Sequence, residues 1–191
     1  MVSRGFEETE RETLARMYWA AFGAKLGRVL GPERRALTFI AQIADPGHAL
    51  CIRRAGRLVA VAGFHTRTGS LVGGDLSDLA DVYGRIGSLW RGLALSLLER
   101  PMTTDELLVD GIFVAPGEQG RGHGTVLIEA LAQEALDRGC GRVRLDVIDG
   151  NERARALYER SGFVAVEVKK SLALHWIFGF SGATTMVRQV R

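Results

Sequence analysis

The glycine-rich segment Gln119–Gly124 is the part of this sequence that is best suited to hold a charged ligand. Gly120, Gly122 and Gly124 alternate directly before a stretch with helical periodicity. Glycines let a backbone turn tightly and approach a ligand closely. The amides of such a loop and of a helix N-terminus attract phosphate, and Arg121 adds a positive charge. The segment therefore predicts an anion site for a phosphate or pyrophosphate.

This segment lacks residues that two common nucleotide-binding motifs require. A Walker A loop requires a lysine after its last glycine, and here Gly117 and Gly122 have the right separation but His123 follows. A dinucleotide-binding fingerprint requires a third glycine where Thr125 stands. Asp146 could serve as its acidic residue, but the roughly 45 residues that follow are too few for a doubly wound sheet. A purely structural glycine turn remains an alternative, with His123 packed inside the loop.

Composition narrows the class of protein. The 191 residues are 47% hydrophobic and 25% charged, which is ordinary for a globular domain, and the net charge of +3 comes from scattered residues. This is not the clustered charge of a nucleic-acid-binding protein. Cys51 and Cys140 lie apart and away from metal-ligand spacings, so we expect no metal site and a reducing, cytoplasmic compartment. The first 22 residues do not resemble a signal peptide, and no apolar run is long enough to span or insert into a membrane.

Hydrophobic periodicity and turn residues predict the elements that position the glycine-rich segment. The predicted helices are Glu8–Phe22, Pro32–Ala44, Ser77 to about Glu99 with a break near Gly84 or Gly87 and an end at Pro101, Thr125–Asp137 and Asn151–Arg160. The predicted strands are Ala49–Arg54, Arg57–His65, a short Ser70–Val72, Glu106–Val114, Arg142–Ile148, Phe163–Val168 and Thr184–Val190. The expected buried side of the fourth helix is Leu127, Ile128, Leu131, Ala135 and Leu136. Together these elements predict one mixed α/β (α+β) domain over residues 1–191.

Two motifs in this order resemble a known family. Gln119-x-x-Gly122-x-Gly124 matches the Q/R-x-x-G-x-G/A signature of the GNAT superfamily, the acetyl-CoA-dependent N-acetyltransferases. The segment Asn151–Phe163 is similar to the family's N-x-x-A-x-x-L-Y-x-x-x-G-F block. The resemblance covers about residues 107–163 closely and the first half of the chain loosely. It implies a mixed, mostly antiparallel central sheet flanked by helices, with a helical insertion before the coenzyme A-binding strand.

The resemblance also implies a binding role for each part of the motif. The backbones of Ile112, Phe113 and Val114 would pair with the pantetheine arm of acetyl-CoA like an added strand. Asn151 matches a position that contacts coenzyme A, and it is also a helix N-cap. Backbone amides would hold the pyrophosphate along Gln119, Gly120, Arg121, Gly122, His123 and Gly124, with Thr125 as a further donor.

Three residues are candidates for proton transfer by the same resemblance. Tyr158 matches the tyrosine that protonates the leaving thiolate, and its alternative is packing within its helix. Asp110 and Asp146 lie where relatives carry catalytic bases, and each could instead be a surface or paired carboxylate. On an alternating strand Asp146 points away from its apolar neighbours, whereas Asp110 shares the side of Ile112 unless a bulge intervenes.

The acceptor is the least determined part of the prediction. His65 is a further candidate base, although a lone histidine is more often structural. Two apolar stretches could form core, an acceptor pocket or a homodimer face: one holds Tyr83, Trp90, Leu93, Leu95, Leu97 and Leu98, the other His175, Trp176, Phe178 and Phe180. We therefore expect an enzyme that acetylates a small-molecule or protein amine. The alternative is a non-catalytic acyl-CoA-binding module with the same fold.

Overall fold

The computed structural model describes residues 1–98 and 103–191. Within these residues, strands and helices follow one another in a mixed order. The strands are β1 Val2–Arg4, β2 Ala49–Arg54, β3 Arg57–Thr66, β4 Gly69–Ser70, β5 Glu106–Val114, β6 Arg142–Ile148, β7 Val164–Lys170 and β8 Gly182–Gln189. The α-helices are α1 Arg11–Leu30, α2 Glu33–Ile43, α3 Leu76–Ser96, α4 His123–Asp137, α5 Glu152–Arg160 and α6 Leu172–Phe178, and short 3-10 helices cover Glu8–Glu10 and Pro46–His48.

All the strands join one sheet. Their order is β1-β2-β3-β5-β6-β8-β7, and β4 pairs with the end of β3. Neighbouring strands are antiparallel except for β5 and β6, which run parallel. This confirms the predicted fold class, including the helix α3 before β5. The parallel pair is short: β5 and β6 pair over 106–108 and 142–144.

Helix α4 covers one face of the sheet. Leu127, Ile128, Leu131 and Ala135 are fully buried and pack against strand residues such as Leu145. These positions recur at helical spacing, so they line one side of the helix, as predicted.

Leu136 is a correction to that prediction. Its side chain is 41% exposed, although we expected it on the buried side of α4. Each residue of an α-helix turns by about 100°, so Leu136 lies about 180° around the axis from Leu127. It therefore faces solvent.

Helix α1 covers the opposite face. Leu14 and Met17 of α1 pack with Val61 and Phe113 of the sheet. A further apolar cluster lies between α1, α2, α3 and α6, and we call it the helical cluster. Its buried members are Leu26, Val29, Leu30, Ala36, Phe39, Leu79, Tyr83, Ala94 and Phe178.

The amino-terminal region differs most from the prediction. Strand β1 was missed because three residues carry too little pattern. The first helix continues to Leu30, whereas we ended it near Phe22, before Gly23. Glycine lowers helix propensity, but here its missing side chain is used: a Cβ at Gly23 would lie 2.8 Å from the ring of Trp19. Beyond Gly23, Leu26 and Leu30 are buried in the helical cluster, so tertiary packing overrides the local signal.

The region after β3 agrees with the prediction in part. The break in α3 is at Gly84, which has a φ of 74° inside the helix. The predicted helix end near Glu99 and Pro101 falls outside the described residues. The predicted strand at Ser70–Val72 is reduced to β4, and Val72 instead forms a single bridge with Ala44.

A buried carboxylate lies at the end of β5 and β6 where the two strands pair. Glu106 accepts hydrogen bonds from Arg144 Nη1 at 2.7 Å and from Arg142 Nε at 3.2 Å. Its side chain is only 4% exposed. A carboxylate taken out of water is stable only when its partners compensate it. These contacts therefore stabilise the pairing of residues 106–108 with residues 142–144.

We expect Glu106→Gln to destabilise the protein by about 3 kcal/mol, because the change leaves a buried guanidinium without its counter-charge. Urea unfolding at neutral pH measures this loss. The matched control is Glu129→Gln, which removes an exposed pair with Arg188 and should cost less than about 1 kcal/mol. Equal losses in the two variants would show that the Glu106 contacts do not hold the strands.

Candidate active site

The glycine loop, residues 117–124, connects β5 to α4 and contains left-handed backbone. Gly117, Gly120 and Gly122 have φ values of 85°, 77° and 83°. Residues with a side chain rarely adopt this conformation, which explains the glycines. Gly122 is the N-cap of α4, and no side chain caps this helix. The amides of its first turn are therefore suited to receive an anion.

Gly124 has a different role, in packing. A Cβ there would lie 2.8 Å from Cδ2 of Leu157, a residue of α5. The absence of a side chain therefore lets the start of α4 approach α5 closely. This contact joins the two sequence motifs in space.

Arg121 and His123 of the loop lie beside a carboxylate that sequence reasoning missed. Glu118 lies 3.3 Å from Arg121, 3.5 Å from His123 and 3.2 Å from Arg54 of β2. Glu118 holds Arg121 and Arg54 together but cancels only one of their two charges, and His123 packs against it as the first residue of α4. In the sequence, the only sign of these contacts was the alternation of acidic and basic residues around the loop.

Arg153 is a second residue that the sequence reasoning missed. It lies in the first turn of α5 and donates to Gln119 Oε1 at 3.2 Å. The contact gives the glycine loop a second tie to α5 and places a guanidinium beside it. Nothing in the spacing of Arg153 distinguished it from other surface arginines.

A β-bulge in β5 directs Asp110. Gly63 of β3 pairs with Gly111 and the next residue, Phe64, pairs with Val109, so Asp110 is the extra residue. A bulge turns side chains away from strict alternation. The Asp110 carboxylate accepts a hydrogen bond from the amide of Leu71 at 2.9 Å. The bulge considered in the sequence analysis is therefore present.

Asp110 lies among titratable groups of several elements. Its Oδ1 is 3.8 Å from Nδ1 of His65, which is partly exposed on β3. Burial raises the pKa of Asp110, while the Leu71 amide, His65 and His48 oppose that rise. Asp110 in turn contributes with burial to raising the pKa of Tyr18 on α1. The site thus contains a largely buried carboxyl group beside the partly exposed imidazole of His65.

A small cavity of about 80 Å³ lies where β5 and β6 separate. Asp110, Gly111 and Ile112 line it from β5, and Asp146 and its neighbours line it from β6. Helix α1 contributes Phe22 and Lys25. A Cβ at Gly111 would lie 2.5 Å from the Phe22 ring, so only glycine lets this ring close over the cavity.

Helix α5 supplies the remaining wall of the cavity. Asn151 Oδ1 accepts from the amide of Ala154 at 3.2 Å, which confirms the predicted N-cap, and Asn151 also lines the cavity. Tyr158 lines the cavity about two helical turns further along α5 and packs against Phe163. Burial raises the pKa of Tyr158 to about 12, so its phenol keeps its proton at neutral pH.

Asp146 lies across the cavity from Asp110. Its neighbours Leu145 and Val147 are buried under α4, and Thr185 of β8 donates its hydroxyl to Asp146 Oδ1. The predicted orientation away from the apolar face agrees with this contact. Asp146 has a hydrogen-bonded strand neighbour, whereas Asp110 is held by a backbone amide.

The matches to known sequences decide the family. The model of the acetyltransferase (GNAT) family matches residues 11–163, which is most of the chain. The chain belongs to the acetyltransferase (GNAT) family. The resemblance drawn from two motifs is therefore confirmed.

Curated relatives of this GNAT chain match over short segments. A thialysine N-epsilon-acetyltransferase from Bos taurus is 41% identical over 56 residues, which are 29% of this chain and 33% of the relative. A mycothiol acetyltransferase from Beutenbergia cavernae is 49% identical over 65 residues, 34% of this chain and 21% of the relative. The chain thus spans at most about a third of each of these relatives.

A solved structure shows the same GNAT fold over the whole chain. The structure of yncA from Salmonella typhimurium with its cofactor acetyl-CoA has a TM-score of 0.61 at 14% identity. The alignment covers 100% of this chain and 94% of that one. At this identity the likeness concerns the fold.

The GNAT fold brings together most of the residues singled out from the sequence. Asp110, Asp146, Ile112, Asn151 and Tyr158 line one cavity. Phe113 does not line it, because its ring is buried against those of Tyr18 and Phe22, so only its backbone is available to a ligand. Val114 packs into the cluster under α4, and the glycine loop follows it directly. Among the described residues, no group of three or more His, Cys, Asp or Glu is arranged to hold a metal ion.

We expect the stability of the protein to report the raised pKa of Asp110. A carboxyl whose pKa is raised on folding contributes stability that is complete below the unfolded pKa of about 3.9 and is lost as pH rises through the folded pKa. Asp110→Asn removes this loss. Relative to the native protein, the variant should therefore gain stability between pH 4 and pH 7.5.

Urea unfolding at both pH values measures the difference between the two proteins. Asp137→Asn, which changes an exposed carboxylate at the end of α4, is the control and should alter the difference less. A relative stability of Asp110→Asn that falls with rising pH would contradict the assignment.

Proposed function

We propose that this chain is an N-acetyltransferase that transfers the acetyl group of acetyl-CoA to a primary amine by direct attack on the thioester. The observation that carries the proposal is the separation of β5 from β6 beside the glycine loop, with Tyr158 at the resulting cavity. The acetyltransferase names of the matched relatives support the same reaction class.

In this proposal acetyl-CoA lies along β5. The backbones of Ile112, Phe113 and Val114 face β3 on one side, and on the other side β6 has already turned away. A pantetheine arm carries amide groups, so it can pair with this edge as a strand would. The amides from Gln119 to Thr125 would then hold the pyrophosphate, and Asn151 would contact the arm from α5.

The acetyl group in this proposal lies in the cavity between the two carboxylates. An amine is mostly protonated at neutral pH and must lose a proton before it attacks. We assign this proton to Asp110, directly or through a water molecule, because burial raises its pKa towards that of the amine. His65 then offers a path for the proton to solvent. Asp146 is the alternative base from the other strand.

The leaving group is the thiolate of coenzyme A. The amine nitrogen forms a bond to the carbonyl carbon, the carbon–sulfur bond breaks, and the sulfur takes the phenolic proton of Tyr158. The proton that the nitrogen loses as it becomes an amide then restores the phenol, so protons and charge balance. The pKa of about 12 makes this phenol a weak acid. A thiolate that is released inside this small cavity, away from bulk water, is also poorly solvated, which raises its basicity and favours the transfer.

The acceptor pocket lies on the α1 side of the sheet in this proposal. Phe22 and Lys25 of α1 close the cavity next to Asp110. The acceptor is a small-molecule or protein amine that enters between these residues. Of the aromatic residues considered for this pocket, Tyr83 and Phe178 are buried in the helical cluster and do not line the cavity.

We also propose that residues 1–191 form one domain of a cytoplasmic protein. The single sheet that joins strands from both ends of the described chain supports one domain. The two buried, unpaired cysteines, Cys51 and Cys140, suit a reducing compartment. No described helix is both long and apolar enough to cross a membrane.

Gly122→Glu should abolish the binding of acetyl-CoA, because it places a carboxylate where the pyrophosphate would lie. Isothermal titration calorimetry with acetyl-CoA measures the affinity. Gly56→Glu is the matched control: Gly56 also has a left-handed φ of 72° and open space around it, but it lies in the β2–β3 turn. Both changes carry a similar strain of roughly 1–2 kcal/mol. Unchanged affinity in Gly122→Glu would remove the glycine loop from the proposal.

Tyr158→Phe should lower kcat about 100-fold and leave the affinity for acetyl-CoA nearly unchanged, since only the proton donor is lost. Release of free thiol from acetyl-CoA in the presence of an amine library measures turnover. Tyr83→Phe is the control, because its hydroxyl donates to the carbonyl of Leu30 inside the helical cluster. A native rate in Tyr158→Phe would make Tyr158 a packing residue. Binding without turnover by the native protein would favour the non-catalytic module.

A further inference from the structure

His48 is a buried histidine that the proposed reaction leaves unused. It ends the short 3-10 helix that precedes β2. Its Nδ1 lies 2.6 Å from Oδ2 of Asp45, and its Nε2 lies 2.8 Å from Oγ1 of Thr66. A carboxylate only accepts hydrogen bonds, so Nδ1 donates to Asp45, and in the neutral ring Nε2 accepts from the Thr66 hydroxyl. Both ring nitrogens therefore have partners, and these lie on two different segments of the chain.

Thr66 ties the imidazole to the turn between β3 and β4. It is the last residue of β3, and its Oγ1 accepts a hydrogen bond from the amide of Thr68 at 3.3 Å. Gly69, the first residue of β4, lies directly on the ring, because a Cβ there would be 2.9 Å from Cε1 of His48. His48 therefore holds this turn through one hydrogen bond and one close contact.

Asp45 holds the residues that follow the turn. While its carboxylate accepts from His48, its backbone amide donates to the carbonyl of Leu71 at 3.0 Å. The bridge between Ala44 and Val72 lies next to this bond. The chain around His48 thus fixes both the turn after β3 and the residues that follow β4.

Leu71 connects this arrangement to the candidate base. Its carbonyl accepts from Asp45, and its amide donates to Oδ2 of Asp110 at 2.9 Å. Its side chain is fully buried, so the residue is held by its core packing as well as by both backbone groups. A continuous series of hydrogen bonds therefore runs from His48 through Asp45 and Leu71 to the carboxylate of Asp110.

We propose that His48 is a positioning residue of the candidate active site, which keeps the amide of Leu71 on the carboxylate of Asp110. The inference rests on the proposed role of Asp110 as the base. A base that is largely removed from water must still be ionised before it can take a proton from the amine. A backbone amide that donates to the carboxylate favours this ionised form. His48 secures that donor and does not itself line the cavity.

Several titratable groups surround Asp110, and they determine the sign of the expected effect. Burial raises the pKa of Asp110, and the Leu71 amide, His65 and His48 each lower it. The other groups nearby are Tyr18 and Lys25 of α1, Asp146 of β6 and Tyr158 of α5, while Arg11 of α1 acts on Asp45. Loss of His48 removes its own effect and releases the Leu71 amide. Both changes raise the pKa of Asp110 further.

The pH dependence of turnover tests the inference. We measure kcat/KM by thiol release from acetyl-CoA with the most active amine of the library. It should rise with pH as Asp110 ionises, and in His48→Leu this acidic limb should move to higher pH by about one unit. Thr66→Val should move it in the same direction by less, and Thr66→Ser, which keeps the hydroxyl, should give the native profile.

Tyr83→Phe is the control, since it removes a buried hydrogen bond within the helical cluster and should leave the acidic limb in place. Circular dichroism checks that each variant is folded, and Thr66→Val keeps the test open if His48→Leu does not fold. An acidic limb that stays at its native pH in the folded variants of His48 and Thr66 would overturn the inference.

Hydrogen exchange provides a readout that needs no turnover. The amide of Leu71, followed by NMR, should exchange about tenfold faster in His48→Leu and in Thr66→Val, while the amides of β6 exchange as in the native protein. Unchanged exchange at Leu71, or an equal increase throughout the sheet, would overturn the inference, because His48 would then only pack. If the Leu71 amide responds as expected but the native protein acetylates no amine, the proposed reaction is wrong and the link from His48 to Asp110 is confirmed.

Discussion

The short pairing of β5 with β6 is the constraint on which the rest of the structure depends. Three residues of each strand pair in parallel, and Glu106 stabilises this paired end through its contacts with Arg142 and Arg144. Beyond it the strands separate within a sheet that is otherwise continuous. A sheet tolerates such a gap only if other groups satisfy or cover its backbone. A ligand with amide groups along β5 would do so, and this links the fold to the proposed activity.

Three elements around the gap, β5, β6 and α5, position the candidate proton-transfer groups. The bulge at Asp110 turns a carboxylate towards the α1 side, and Gly111 lets Phe22 close over it. Asp146 faces the same cavity from β6. Tyr158 lies on α5, and burial raises the pKa of its phenol. Each of these groups lies on a strand or helix that packs into a core, so its position is set by the fold and not by a mobile loop.

Much of this arrangement could be predicted from the sequence, and the exceptions have physical reasons. Strands β5 and β6 and helix α5 follow from alternation and from the Asn151 cap, which are local signals. The extension of α1 past Gly23 depends on the burial of Leu26 and Leu30 in the helical cluster, and the placement of Glu118 depends on Arg54 of β2. Both are contacts that a local pattern does not show. The bulge at Asp110 was left open because strand parity cannot reveal an extra residue. The outward apolar side of α3 was recognised only as an apolar stretch, because composition does not say which side is covered.

The close approach of Gly124 to Leu157 sets the distance between the two ends of the candidate site. It ties the start of α4, where the proposed pyrophosphate site lies, to α5, where Tyr158 would meet the leaving sulfur in the proposed reaction. The span between these two points is set by packing. In that reaction a thioester donor would therefore be selected by the length of the arm between its phosphate and its sulfur. A shorter thiol, even if it carries the same acetyl group, could occupy one end of the site but not both.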